Sequence, residues 1–305
     1  MLQVGAIMKL KRLRTLFAQA VHHCDRLGLL SMNRWIAMNK NTHAVLPILC
    51  ERGIDESVLI IAFSGGAQKL DVPVHEFFET TKTLGYNRIL LRDKYYMYYH
   101  YGVDRKRKDW PSLIEYLKSE VTRLRPEKVV CVGTSTGAYA AIIAGHYLIA
   151  DFVHAFSPQT KLDVNRDGIR KARHPLHRWR MSLSRRVLAQ VLDLASLLQQ
   201  HNGKTSYFVH YGFDHEIDRG YAQRISKMPG VTTLGYPSAA HATAIFLAKK
   251  KFLGRVLEIE NQTYLPEIAQ RQFGGKLHIT LPVTDRPRPP EASKQDISQS
   301  YLSMT

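Results

Sequence analysis

The sequence has little cysteine, less acid than base, and no long unbroken hydrophobic run, and each shortage removes a class of protein. The three cysteines, Cys24, Cys50 and Cys131, are scattered and odd in number. They form neither a disulfide framework nor metal-type spacing, and they suit a reducing, cytoplasmic setting. His22, His23 and Cys24 bring metal-binding residue types together. Adjacent residues on a helix point in different directions, however, and no second ligand set accompanies these three, so no metal and no cofactor is expected. The longest apolar stretch, residues 138–156, is interrupted by His146, Asp151 and His154, which makes it core material and not a membrane span. Residues 2–8 are too short an apolar stretch for a signal peptide, and the positive charges follow them instead of preceding them. A soluble chain without internal repeats is the expectation.

What is present points to a folded α/β protein. A hydrophobic share of 45% over 305 residues is enough for a sizeable core, and the length fits one domain with appendages. Lys and Arg total 43 against 26 Asp and Glu, a net charge of +17. Such an excess attracts acidic substrates, anionic membrane surfaces or nucleic acid. No nucleic-acid-binding motif accompanies the basic runs, which disfavours the last.

Residues 1–38 read as a helical appendage, with Leu10, Leu13, Phe17 and Val21 at helical spacing opposite a basic side. Packing on the main domain is its expected role, and attachment to an anionic membrane surface is the alternative. Within the domain, residues 39–279, strand and helix alternate. Strands are expected at 43–49, 58–63, 88–91, 129–132, 152–156, 206–211 and 231–236. Helices are expected at 74–84, 111–124, from 138 onward, at 221–228 and at 242–259. Apolar strands alternating with helices imply a mostly parallel sheet covered on both faces. Two segments break the rhythm: an inserted basic helical segment at 159–203, and a Pro- and Ser-bearing tail at 280–305 expected to be disordered.

Residues 128–143 carry the densest chemistry. The run Val129, Val130, Val132 is a buried strand in miniature, the Ala-rich stretch from Ala138 begins a helix, and between them lies Gly133-Thr-Ser-Thr-Gly137. This G-x-S-x-G pattern describes a turn so tight that glycine is needed on both flanks of the serine. It would set the Ser135 hydroxyl at a helix N-terminus, where backbone N–H groups favour developing negative charge. A serine also needs a base, because its hydroxyl is hardly ionised at neutral pH. His241 follows the last expected strand on a small-residue loop and is the candidate. In the loop after the preceding strand, Asp214 is the favoured carboxylate to orient that imidazole and Asp218 the alternative, since Asp218 also reads as a helix N-cap. An oxyanion hole would take N–H groups from Thr136 and from the Ser64-Gly65-Gly66 loop, with Ser64 the favoured second donor beside Gly65.

On these residues the chain resembles the serine hydrolases of the α/β-hydrolase fold over about residues 43–260. The resemblance rests on Gly133-Thr-Ser-Thr-Gly137, the loop from Phe63 to Gly66, the loop from Gly212 to Asp214, and Ala240-His241, in the order Ser, acid, His. The oxyanion loop lacks the His-Gly-Gly-Gly run of many lipases, and the acid follows its strand by one residue fewer than is common. By the same resemblance, residues 159–203 occupy the place of a cap over the site. Between 161 and 186 they hold nine Lys or Arg against two Asp, which would favour an anionic substrate. The function implied is hydrolysis of a carboxylic ester or thioester of a small-molecule acyl substrate through a serine acyl-enzyme. The alternatives are acyl transfer on the same residues and a catalytically silent protein that binds anionic partners.

Overall fold

A computed structural model describes residues 47–66, 77, 81–93, 95, 97–162, 192–200 and 203–282. One eight-stranded sheet organises them: β1 (Ile48–Glu51), β2 (Asp55–Phe63), β3 (Tyr86–Leu91), β4 (Lys128–Thr134), β5 (Phe152–Phe156), β6 (Ser206–Gly212), β7 (Val231–Tyr236) and β8 (His278–Thr280). The spatial order is β1-β3-β2-β4-β5-β6-β7-β8. The six inner strands are parallel, while β1 runs antiparallel to β3 at one edge and β8 antiparallel to β7 at the other. This is the strand arrangement of the α/β-hydrolase fold.

The unbroken apolar run in β2 has the cause expected for a parallel strand, namely burial on both faces. Leu59, Ile61 and Phe63 pack into one core cluster with Trp110, Leu113 and Ile114 of α1 (Trp110–Leu124) and with the buried length of α2 (Thr136–Leu148). Val58, Ile60 and Ala62 point the other way, toward α5 (Thr243–Lys249), α6 (Leu253–Leu257) and α7 (Leu265–Phe273). Helix α1 starts where its sequence provides a cap: the Asp109 side chain accepts from Ser112 N–H, Ser112 answers at Asp109 N–H, and Pro111 occupies the first turn.

Several boundaries differ from the sequence reading. The helix expected at 221–228 is α4 (Glu216–Ile225), which begins five residues earlier with His215 as its N-cap. The closing helix expected at 242–259 is two helices, α5 and α6. They are separated at Lys251 (φ 55°), where the chain turns left-handed and buries Phe252 completely. Two further elements, α7 and β8, had no expectation, and Thr280, assigned to the tail, pairs with Thr233 in β8. Within the segment expected as an insertion, α3 (Leu194–Gln199) belongs to the core, with Leu194 and Leu198 fully buried. The chain leaves at Lys161 and returns at Asp193, which pair antiparallel, so the excursion starts and ends at one point on the surface. Residues 163–191, the N-terminal appendage, most of the helix expected at 74–84 and residues 283–305 lie outside the described residues. Among the described residues, no helix is long and apolar enough to cross a membrane.

A buried polar chain ties β5, β6 and β7 to the C-terminal helices. The Gln262 amide donates to Val256 O and Glu258 O, which leaves its Oε1 to accept from His154 Nε2 at 2.8 Å. His154 Nδ1 must then accept from His210 Nε2 (3.1 Å), and His210 Nδ1 from the Tyr236 hydroxyl (3.0 Å). Every link has one donor and one acceptor, so both imidazoles are neutral. Burial holds His154 down to about 3. Burial, with His154 beside it, holds His210 well below its ordinary value.

Candidate active site

Ser135 sits between β4 and α2 with φ 52° and ψ −114°, a conformation that side chains rarely adopt. Backbone packing enforces it. A Cβ on Gly133 would stand 2.1 Å from Gly137 O, and one on Gly137 would stand 2.1 Å from Phe63 O. Only glycine permits these approaches, and the second presses the start of α2 directly against the end of β2. Ser135 N–H continues the sheet by donating to Phe156 O (2.8 Å), while its carbonyl accepts from Ala138 and Tyr139 and opens the helix. The hydroxyl therefore stands part-exposed at the carboxyl edge of a central strand.

His241 lies on the loop between β7 and α5. Its Nε2 is 3.2 Å from Ser135 Oγ, and its Nδ1 is 2.9 and 3.0 Å from the two carboxylate oxygens of Asp218. Of the two candidate acids, then, Asp218 meets the imidazole and Asp214, the favoured one, does not. Asp214 is exposed, and its carboxylate accepts Ser238 N–H at 2.8 Å, bracing the histidine loop from outside. The physical reason is the early start of α4. Its first turn winds Asp218 back under His241 as a side chain only 2% exposed, while the imidazole above it is 46% exposed. His215, at the head of the same helix, also reaches Asp218, with its Nδ1 3.3 Å from the Asp218 N–H nitrogen.

Three further contacts hold the histidine loop. A Cβ on Gly212 would stand 2.0 Å from Ala239 O, so the end of β6 and this loop touch backbone to backbone. The buried hydroxyls of Ser157 and Thr243 meet at 2.9 Å, joining the end of β5 to the residue two past His241. Thr243 also donates to Ala240 O at 3.4 Å.

The oxyanion candidates separate. Thr136 opens α2, with its N–H at the positive end of the helix dipole. Ser64 N–H is committed to Leu91 O at 3.0 Å, an extension of the β2–β3 pairing, and this removes Ser64 as the favoured donor. The buried Gly65 follows it. The loop adjoins the elbow, since a Cβ on Gly66 would lie 3.8 Å from the Thr136 side chain.

Sequence reasoning missed what positions that loop. Tyr98 and Tyr99 of the aromatic run after β3 are buried, and the Tyr99 hydroxyl shares its proton between Ser64 O (3.0 Å) and Leu91 O (2.9 Å). Burial pushes this phenol well up, so it remains a donor. Tyr98 and Tyr99 both have positive φ, at 55° and 62°. The buried Asp93 carboxylate holds them there by accepting N–H from Tyr95, Met97 and Tyr99. No periodic signal marks such a loop, although an Asp ahead of a tyrosine run was its one visible trace.

No family model matches this sequence, and no curated protein matches it. Solved structures resemble it in architecture. An alpha-beta serine hydrolase homologue from Coxiella burnetii is 14% identical over 69% of this chain and 90% of its own, with a TM-score of 0.42. An esterase from Pyrococcus furiosus is 18% identical over 72% and 82%, with a TM-score of 0.42. The esterase domain of a Rhodothermus marinus protein is 13% identical over 70% and 91%, with a TM-score of 0.47. The fold rests on the strand order and the elbow described above.

Proposed function

We propose that the chain is a serine hydrolase that cleaves a carboxylic ester or thioester through an acyl-enzyme on Ser135. One observation carries this reading: Ser135 Oγ, His241 and the buried Asp218 form a continuous relay, at 3.2 Å and at 2.9–3.0 Å, on a backbone turn that only its flanking glycines allow.

In this reading Asp218 accepts His241 Nδ1–H, which leaves the Nε2 lone pair facing Ser135. As Oγ attacks the substrate carbonyl carbon, its proton passes to Nε2 and the imidazolium forms over the Asp218 carboxylate. Negative charge grows on the carbonyl oxygen, toward the N–H groups of Thr136 and Gly65. Collapse breaks the bond to the alcohol or thiol, which leaves with the proton from Nε2. Water then repeats the sequence: it gives a proton to Nε2, attacks the acyl carbon, and Ser135 takes the proton back as the acid departs. The basic segment between 161 and 186 favours an anionic acyl substrate. Transfer to an alcohol in place of water would use the same groups, and product analysis with and without an added alcohol separates the two.

The test is labelling of the full chain with a fluorophosphonate probe, which forms a stable adduct with an activated serine. Wild type should label, and Ser135→Ala and His241→Ala should not. Absence of labelling in wild type, or equal labelling of Ser135→Ala, sinks the proposal.

A further inference from the structure

The proposed reaction leaves His215 without a task. It caps α4 by accepting Asp218 N–H through Nδ1, which puts its own proton on Nε2 and makes the Nδ1 lone pair the one that a metal would take over from the cap. Asp218 Oδ1 is 3.3 Å from this Nδ1 and 2.9 Å from His241 Nδ1. One ligand atom from each of His215, Asp218 and His241 lies within 4.8 Å of the others. In a tetrahedral zinc site with bonds of about 2.1 Å, ligand atoms stand roughly 3.4 Å apart. Both contacts to Asp218 are already near that spacing, and the remaining gap lies between two imidazoles that are 35% and 46% exposed, each of which would turn from its present hydrogen bond to close it. The carboxylate beneath is buried, and among the described residues its ion-pair partners are these two histidines, which bring no fixed positive charge. Two imidazole nitrogens and one carboxylate oxygen, with a fourth position toward solvent, make a donor set suited to Zn²⁺.

We infer that His215, Asp218 and His241 form an inhibitory site for Zn²⁺ that switches the serine off. The chemistry follows from tautomers. Zn²⁺ takes the Nδ1 lone pair of neutral His241, so the single ring proton moves from Nδ1 to Nε2. The charge on the ring is unchanged and no covalent bond other than N–H is made or broken. Nε2–H then faces Ser135 Oγ and cannot accept its proton. Because the ion also withdraws Asp218 from its orienting hydrogen bond, base and orienter are lost together. Sequence spacing gave no sign of this site, since its ligands come from the head of α4 and from the loop before α5, more than twenty residues apart in the chain.

The switching half of this inference rests on the proposed role of Ser135, and the binding half does not, so the experiment reads them separately. Asn is a good N-cap and a poor zinc ligand, which makes His215→Asn a variant that keeps α4 capped. Zinc affinity is measured by competition with a chromogenic chelator, in the Ser135→Ala background with and without His215→Asn. Fluorophosphonate labelling is followed in wild type and His215→Asn across a ZnCl₂ titration, with EDTA reversal. The expectation is that His215→Asn weakens binding of one zinc equivalent by at least about tenfold. It should label like wild type without zinc and keep labelling at zinc concentrations that silence wild type. Unchanged zinc affinity in His215→Asn, or equal zinc inhibition of both proteins, overturns the inference. If neither protein labels without zinc while zinc binding still depends on His215, the hydrolase reading fails and the metal site stands.

Discussion

Around Ser135 the chain is positioned by backbone packed on backbone, whereas around His241 it is positioned largely by side chains. The elbow has Gly133 against Gly137 and Gly137 against Phe63, contacts that no other residue could make. The histidine loop has Asp214 on Ser238, Ser157 on Thr243 and Asp218 on His241. The first kind of constraint is all-or-none and fixes one residue. The second is graded, distributed over several residues, and open to interference from a proton or an ion. The Ser135 half of the candidate site should therefore be brittle and the His241 half adjustable.

The largest effect should come from Gly137→Ala, whose methyl would enter Phe63 O and Ser64 O at 2.1 and 2.7 Å. Loss of more than about 4 kcal/mol, seen as absence of folded protein by circular dichroism, is expected, because neither partner can move without breaking the sheet. Gly66→Ala, with only ordinary contacts at 3.8 Å or more, is the matched control and should fold.

Acid should attack the side-chain-held half next. His100 and His154, both buried, are held down to about 3, and His210 lies well below its ordinary value. His210 also lends its carbonyl to Ser157 N–H beneath the histidine loop. Below pH 6.5 the unfolded chain binds protons that the folded chain refuses. Stability is therefore complete above about pH 6.5 and falls as pH drops toward 3, by up to about 1.4 kcal/mol per pH unit for each histidine. Urea midpoints measured from pH 7.5 to 4.5 test this, and a flat profile over that range contradicts it.

Tyr99→Phe comes third. It removes the proton shared by Ser64 O and Leu91 O, takes the Tyr99 hydroxyl from Ser64 O while Leu91 O keeps Ser64 N–H, and should cost about 1–3 kcal/mol in thermal unfolding. Because Gly65 follows Ser64 directly, labelling should slow as well, which a purely structural loss would not produce at a temperature where the variant is fully folded. The smallest effect is expected for Ser157→Ala, about 1 kcal/mol or less. It should loosen the histidine loop and slow labelling a few-fold without touching the elbow.

The same contrast governs how much could be read from the sequence. Backbone constraints appear as glycines at fixed spacing, so Gly133-Thr-Ser-Thr-Gly137 was legible, as was β2, whose apolar run follows from burial on both faces. Asp218 was legible only as an alternative. A one-turn change in where α4 begins decides which carboxylate lies under the histidine, and Glu216-Ile-Asp218 offers no strong cap to mark that start. The broken closing helix escaped for a related reason, because Lys251 in a left-handed conformation looks like any other lysine in a basic run. The role of Tyr99 depends on a contact between β3 and the loop after β2 that no local pattern encodes.

In the proposed mechanism Asp218, and not Asp214, completes the relay through His241 to Ser135. The rate of fluorophosphonate labelling in Asp218→Asn and Asp214→Asn tests it most directly. Loss of the true orienting acid leaves the imidazole in the wrong tautomer and costs about 10⁴-fold in rate. The rate should fall by that order for Asp218→Asn and by less than about tenfold for Asp214→Asn, which gives up a brace and not the relay. The reverse order, or two variants that label alike, would contradict it.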